Sequence, residues 1–103
     1  MAQVKLCAFG AVEEGAPISV TVDNLPELGV YKLNGKIFVA DNRCTHGHAN
    51  LTDGFQEGKI IECPFHGGSF DITTGDPSSA PCKISIKTYE AKVMDGFVYI
   101  DVS

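Results

Sequence analysis

Apolar side chains recur at every second position along much of this chain, in short runs bounded by Gly, Pro, Asn and Asp. A period of two sends alternate side chains to opposite faces, so each run reads as a β-strand. The pattern predicts strands over Val4–Phe9, Ile18–Val22, Gly29–Leu33, Lys36–Asp41, Lys59–Cys63, Lys83–Lys87, Tyr89–Met94 and Phe97–Val102, with a short addition at Ser69–Ile72. Asn34-Gly35 and Asp95-Gly96 lie between neighbouring strands. Both pairs tolerate the positive φ of a type I′ turn, which predicts two tight hairpins. Ala11–Glu14 offers a single helical turn and no stretch offers more. The expected fold is all-β, a small antiparallel sandwich or barrel of eight or nine strands.

Three stretches break the period: Asn42–Gly58, Pro64–Ser69 and the proline-containing Thr73–Pro81. They read as loops at strand ends, the usual place for function on a rigid scaffold. Two of them carry the chemistry of the chain. Cys44-Thr45-His46 and Cys63-Pro64-Phe65-His66 together spell C-x-H and C-x-x-H, one thiolate and one imidazole from each loop. In an extended segment, residues two apart face the same side, so Cys44 and His46 can address one centre. Cys63 and His66 can converge across a tight turn, and Gly67-Gly68 lets backbone approach a bulky inorganic core. A two-iron centre with two Cys on one iron and two His on the other suits this donor set. A single tetrahedral zinc ion is the competing occupant. Zinc usually substitutes for a core that this strand-rich chain can build for itself, and C-x-H spacing is uncommon among zinc knuckles.

Size and charge narrow the picture. The chain has 103 residues, enough for one domain. No apolar run approaches the ~20 residues of a membrane span. The N-terminal segment lacks the basic and long apolar stretches of a secretory signal, so a cytoplasmic protein is expected. Thiols stay reduced there, which favours metal binding over a disulfide frame for the 4 cysteines. Cys7 and Cys82 stand apart from the two boxes and are expected to pack as small apolar residues. A net charge of −5 argues against nucleic acid and anionic membranes, and fits steering toward a basic patch on a protein partner.

Cys44-Thr45-His46-Gly47 with Cys63-Pro64-Phe65-His66-Gly67 resembles the two-box signature of Rieske proteins. The length, Asp53-Gly54 and the C-terminal Ile84-Ser85-Ile86-Lys87-Thr88-Tyr89 resemble the small Rieske ferredoxins of bacterial aromatic-ring dioxygenase systems. The resemblance implies one Rieske domain over residues 1–103, with cluster-binding loops at about 42–82, and one [2Fe–2S] cluster. It assigns Cys44 and Cys63 to one iron and His46 and His66 to the other. It also implies a one-electron carrier between an NAD(P)H-dependent flavoprotein reductase and a terminal oxygenase. Gly47, His48, Phe65 and Pro81 are expected at the docking face of a monomer, with Ser79-Ala80-Pro81 resembling a loop that covers the cluster. High-potential Rieske proteins add a Cys to each box and place Ser and Tyr donors near the cluster. The matching positions here are Ala49, Phe65, Gly68 and Phe70. Fewer hydrogen bonds to sulfur imply a potential toward the low end of the Rieske range, roughly −150 mV.

A ring-hydroxylating site would need a second iron on two His and a carboxylate. With 3 histidines in all and two committed to the boxes, that site cannot be assembled. No Gly-rich strand-to-helix loop for a flavin or nicotinamide is present either. The alternative function is a Rieske-like small subunit of a multi-subunit reductase, such as assimilatory nitrite reductase. The full ligand set favours the carrier.

Overall fold

Strands β3 (Leu28–Leu33) and β4 (Lys36–Asp41) form the middle of the molecule, and their alternation is apolar on both faces. The computed structural model describes residues 2–45, 49–65, 67–80 and 84–102. Val30 lies opposite Val39 and Tyr31 opposite Phe38 in the β3–β4 ladder. Leu28, Val30, Ile37 and Val39 enter one core with Val12, Val98 and Ile100. Tyr31, Leu33, Phe38 and Ala40 face a second core with Leu51, Ile61, Phe70 and Ile72. A sheet covered on both sides reads as nearly continuous apolar sequence, as β3 and β4 do. The Asn34-Gly35 turn between them is as expected, with φ of 53° and 80°.

Eleven strands are present among the described residues, in three antiparallel sheets. The middle sheet adds β2 (Ile18–Val20) and β9 (Thr88–Tyr89) in the order β2-β3-β4-β9. A second sheet joins β1 (Ala2–Ala8), β11 (Phe97–Val102) and β10 (Ala91–Met94), in the order β1-β11-β10. Its β10–β11 hairpin turns on Asp95-Gly96, both at positive φ. The third sheet runs in the order β5-β6-β7-β8, from β5 (Phe55–Glu57), β6 (Ile60–Glu62), β7 (Ser69–Asp71) and β8 (Pro77–Ser79). The all-β antiparallel expectation holds, while several details change.

β5 and β8 lie inside stretches expected to be loops. β8 is an edge strand starting on Pro77, a position where the missing N–H leaves no ladder bond unmade. The expected strand Lys83–Lys87 is not one across its described part: 84–87 is irregular, although Ile86 is buried. Its polar groups pair with three separate segments, through Ile84 carbonyl to Thr45, Ile86 N–H to Gly75 and Lys87 carbonyl to Asp41. The run Tyr89–Met94 divides at Glu90, because β9 belongs to the middle sheet and β10 to the terminal one. The expected turn at Ala11–Glu14 forms earlier, as a 3₁₀ turn over Phe9–Ala11. Cys7 is half-buried against the first core, as expected, and burial raises its thiol pKa. Cys82 lies outside the described residues.

Candidate metal centre

Both cysteines of the boxes stand where a backbone hydrogen bond closes a loop. After β4 the chain runs through Asn42 and Arg43 to Cys44, and returns to pair Arg43 with Asn50. Cys44 N–H donates to the Ala49 carbonyl at 2.9 Å, and Leu51 N–H donates to the Asn42 carbonyl at 2.7 Å. In the second box, β6 delivers Cys63, whose N–H donates to the Gly68 carbonyl at 2.7 Å before β7 begins. Each thiol is thus set by a closed backbone ladder, although it belongs to a segment without a strand period.

The two stems meet. Cys44 and Cys63 are 2% and 3% exposed and belong to one apolar cluster with Ala49, Leu51, Ile61 and Phe70. Between them runs a 3₁₀ turn, Leu51–Asp53, followed by Gly54. A Cβ on Gly54 would lie 1.8 Å from the carbonyl oxygen of Glu62, the residue before Cys63. Backbone-to-backbone contact therefore fixes how closely the first arm passes the second.

Two further segments reach the boxes: the irregular stretch 84–87 meets the first, and β8 meets the end of the second. Thr45 Oγ1 donates to the Ile84 carbonyl at 2.6 Å, and Ser85 Oγ donates to Asp76 Oδ1 at 3.1 Å. Ser69 Oγ shares hydrogen bonds with the hydroxyls of Ser78 at 2.6 Å and Ser79 at 2.8 Å. Phe65 and Ile84 stand out into solvent at 68% and 66% exposure. Phe65 therefore does not seal a core. The remaining expected site residues, His46, Gly47, His48, His66 and Pro81, lie outside the described residues. For the same reason no group of three metal-binding side chains converges among the described residues.

The donor chemistry fits the expected centre. Two buried thiols share one apolar cluster, and each box adds a histidine in sequence, as a two-thiolate, two-imidazole pair of irons requires. A zinc ion would meet a protein that already has two apolar cores. Sequence reasoning missed the contacts that Asn42, Gly54, Thr45 and the serine trio make. Each is ordinary loop composition whose partner is known only once the chain has folded.

A family model for the Rieske [2Fe–2S] domain matches residues 2–90. The ferredoxin component of the naphthalene 1,2-dioxygenase system of Pseudomonas putida is 43% identical over 100 residues, spanning 97% of this chain and 95% of that protein. A solved structure of the Sphingomonas yanoikuyae B1 ferredoxin is 52% identical and superposes with a TM-score of 0.96, covering 99% of this chain and 100% of that one. The structure of reduced oxygenase with oxidised ferredoxin in carbazole 1,9a-dioxygenase matches at 37% identity and a TM-score of 0.90, over 95% of this chain and 91% of that one. A nitrite reductase (NADPH) small-subunit structure shares the fold alone, at 16% identity with a TM-score of 0.82. No helix among the described residues is long and apolar enough to cross a membrane.

Proposed function

Because this chain belongs to the Rieske [2Fe–2S] domain family, we propose that it is the electron-carrying ferredoxin of a multicomponent aromatic-ring oxygenase. The observation that carries the reading is likeness over essentially the whole length of ferredoxin components, with both ligand boxes intact. The family gives it one [2Fe–2S] cluster, which supplies a one-electron couple and no substrate chemistry. We take the chain as a single such domain, since β11 runs past the matched segment to pair with β1 from Ala2↔Val102 to Ala8↔Phe97.

In this reading Cys44 and Cys63 hold one iron and His46 and His66 the other. The buried thiols exclude water and oxidants from the sulfur side. Phe65, exposed between two ligands, gives a partner an apolar foothold beside the imidazoles, with Gly47, His48 and Pro81 completing the docking face. Such encounters are small and brief, burying under ~1,200 Å². The electron donor is an NAD(P)H-dependent flavoprotein reductase, the acceptor a terminal oxygenase, and the carrier a cytoplasmic monomer that visits each in turn. The acceptor is supported by the oxygenase complex formed by the carbazole ferredoxin.

The test is reconstitution. With a matching reductase and oxygenase, substoichiometric carrier should restore NAD(P)H-driven dihydroxylation, and the carrier should run alone on gel filtration. Failure to accept or pass electrons, or co-elution with a large reductase subunit, would overturn the reading.

The lowered potential has its own test. Phe70 is fully buried in the cluster that contains both cysteines, so a new hydroxyl there needs a buried partner or costs about 1–3 kcal/mol. Phe70→Tyr and Gly68→Ser should each raise the midpoint potential by about 60 mV, a tenfold change for one electron. An intact cluster with an unmoved potential would remove hydrogen bonding as the lever.

A further inference from the structure

Asn42 stands two residues ahead of Cys44 and is 0% exposed. Its polar groups are all engaged. The backbone N–H donates to the Glu27 carbonyl at 3.0 Å, and the backbone carbonyl accepts from Leu51 at 2.7 Å. The side-chain Nδ2 donates to Glu27 Oε2 at 2.8 Å, while Oδ1 accepts the Thr52 N–H at 2.9 Å. One amide therefore joins the segment before β3 to both arms of the first box. Only a group with one donor face and one acceptor face can do this. Glu27 itself is exposed and lines a groove of about 880 Å³ beside Arg43 and Cys44.

We propose that Glu27 and Asn42 form a latch that positions the first ligand box, with a surface carboxylate holding the Cys44 stem through one buried amide. The proposal rests on Cys44 being a cluster ligand. Its physical basis is the short path from latch to thiol. Asn42 and Thr52 bracket the stem closed by Cys44 and Ala49, so losing the amide bonds lets that stem shift under the metal. Residues that orient ligands in this way commonly control how firmly a centre is kept. Glu27 then serves as a positioning residue, although an exposed acid beside a redox centre would ordinarily be counted as a docking charge.

The two roles separate in cluster-loaded protein carrying Glu27→Gln, Glu27→Ala, Asn42→Asp or the double change Glu27→Gln with Asn42→Asp. The readouts are the bleaching rate in a chelator and the visible circular dichroism and EPR line shape. Glu27→Gln should match the parent, because an amide oxygen accepts the same bond from Asn42. Glu27→Ala and Asn42→Asp should bleach about ten-fold faster with altered spectra, the usual scale for such supporting contacts. The double change should return toward the parent, the introduced amide now donating to the introduced carboxylate. Should Asn42→Asp fail to fold, the contrast between the two Glu27 variants decides alone. Parent-like bleaching and spectra in Glu27→Ala, or equal damage in both Glu27 variants, would overturn the latch. Cys44→Ser, run beside them, separates the underlying assignment: a retained cluster there would remove the ligand, and the latch with it.

Discussion

Cys44→Ser and Cys63→Ser are each expected to give a folded, colourless protein that passes no electrons. The loss of colour follows from chemistry: a serine hydroxyl is not ionised near neutral pH and offers the iron no thiolate. The survival of the fold follows from where the thiols sit. Both belong to the core beneath the ligand boxes, while Val12, Leu28, Val30, Val98 and Ile100 build a separate core against the terminal sheet. A hydroxyl left unsatisfied in the core beneath the boxes costs about 1–3 kcal/mol, against the ~5–15 kcal/mol that a small domain has in hand. Far-ultraviolet circular dichroism should keep its β character as the visible bands vanish. A coloured Cys63→Ser protein that still supported oxygenase turnover would sink the ligand assignment. The same experiment on Cys7→Ser should change nothing visible, since Cys7 packs with the other core.

What could be read from the chain before its structure was known follows the range of each interaction. The β3–β4 hairpin was legible because every determinant is local: alternation on either side and Asn34-Gly35 at the turn. The ligand boxes were legible for a similar reason, since coordination chemistry restricts residue types at short spacing. The division at Glu90 was not. Tyr89 and Ala91 continue one alternating run, yet β9 pairs with β4 and β10 with β11, and a period of two does not name the neighbour. Pro77–Ser79 was hidden because Pro and Ser are poor strand formers, and pairing with β7 overrides that preference. Asn42 looked like a loop residue. Its meaning depends on Glu27, 15 positions earlier, and Thr52, 10 later. The chemistry of the centre is written locally, whereas the frame that aims it is written across the chain.

Gly54→Ala is expected to be among the most damaging conservative changes outside the ligands, costing about 3 kcal/mol, the upper end for inserting one methyl group into a packed site. The added carbon would fall 1.8 Å from the Glu62 carbonyl oxygen and 3.2 Å from that of Leu51. Both neighbours are backbone, so no side-chain rotation relieves the clash. The Glu62 carbonyl is anchored by its place in the β5–β6 ladder, where Phe55 lies opposite Glu62. Gly54 is held by its own N–H bond to the Leu51 carbonyl at 2.9 Å. Relief requires the turn at Leu51–Asp53 to move away from β6, which carries the arm of Cys44 away from that of Cys63. Thermal stability and cluster retention should therefore fall together. At ~4–8 °C per kcal/mol for a domain near this size, the melting temperature should drop by roughly 12 °C or more. Gly10→Ala supplies the control, because a Cβ there meets nothing within 4 Å; a change of under about 0.5 kcal/mol is expected. If Gly54→Ala melted with the parent and kept its cluster as long, the spacing of the two boxes would have to be set by something other than this backbone contact.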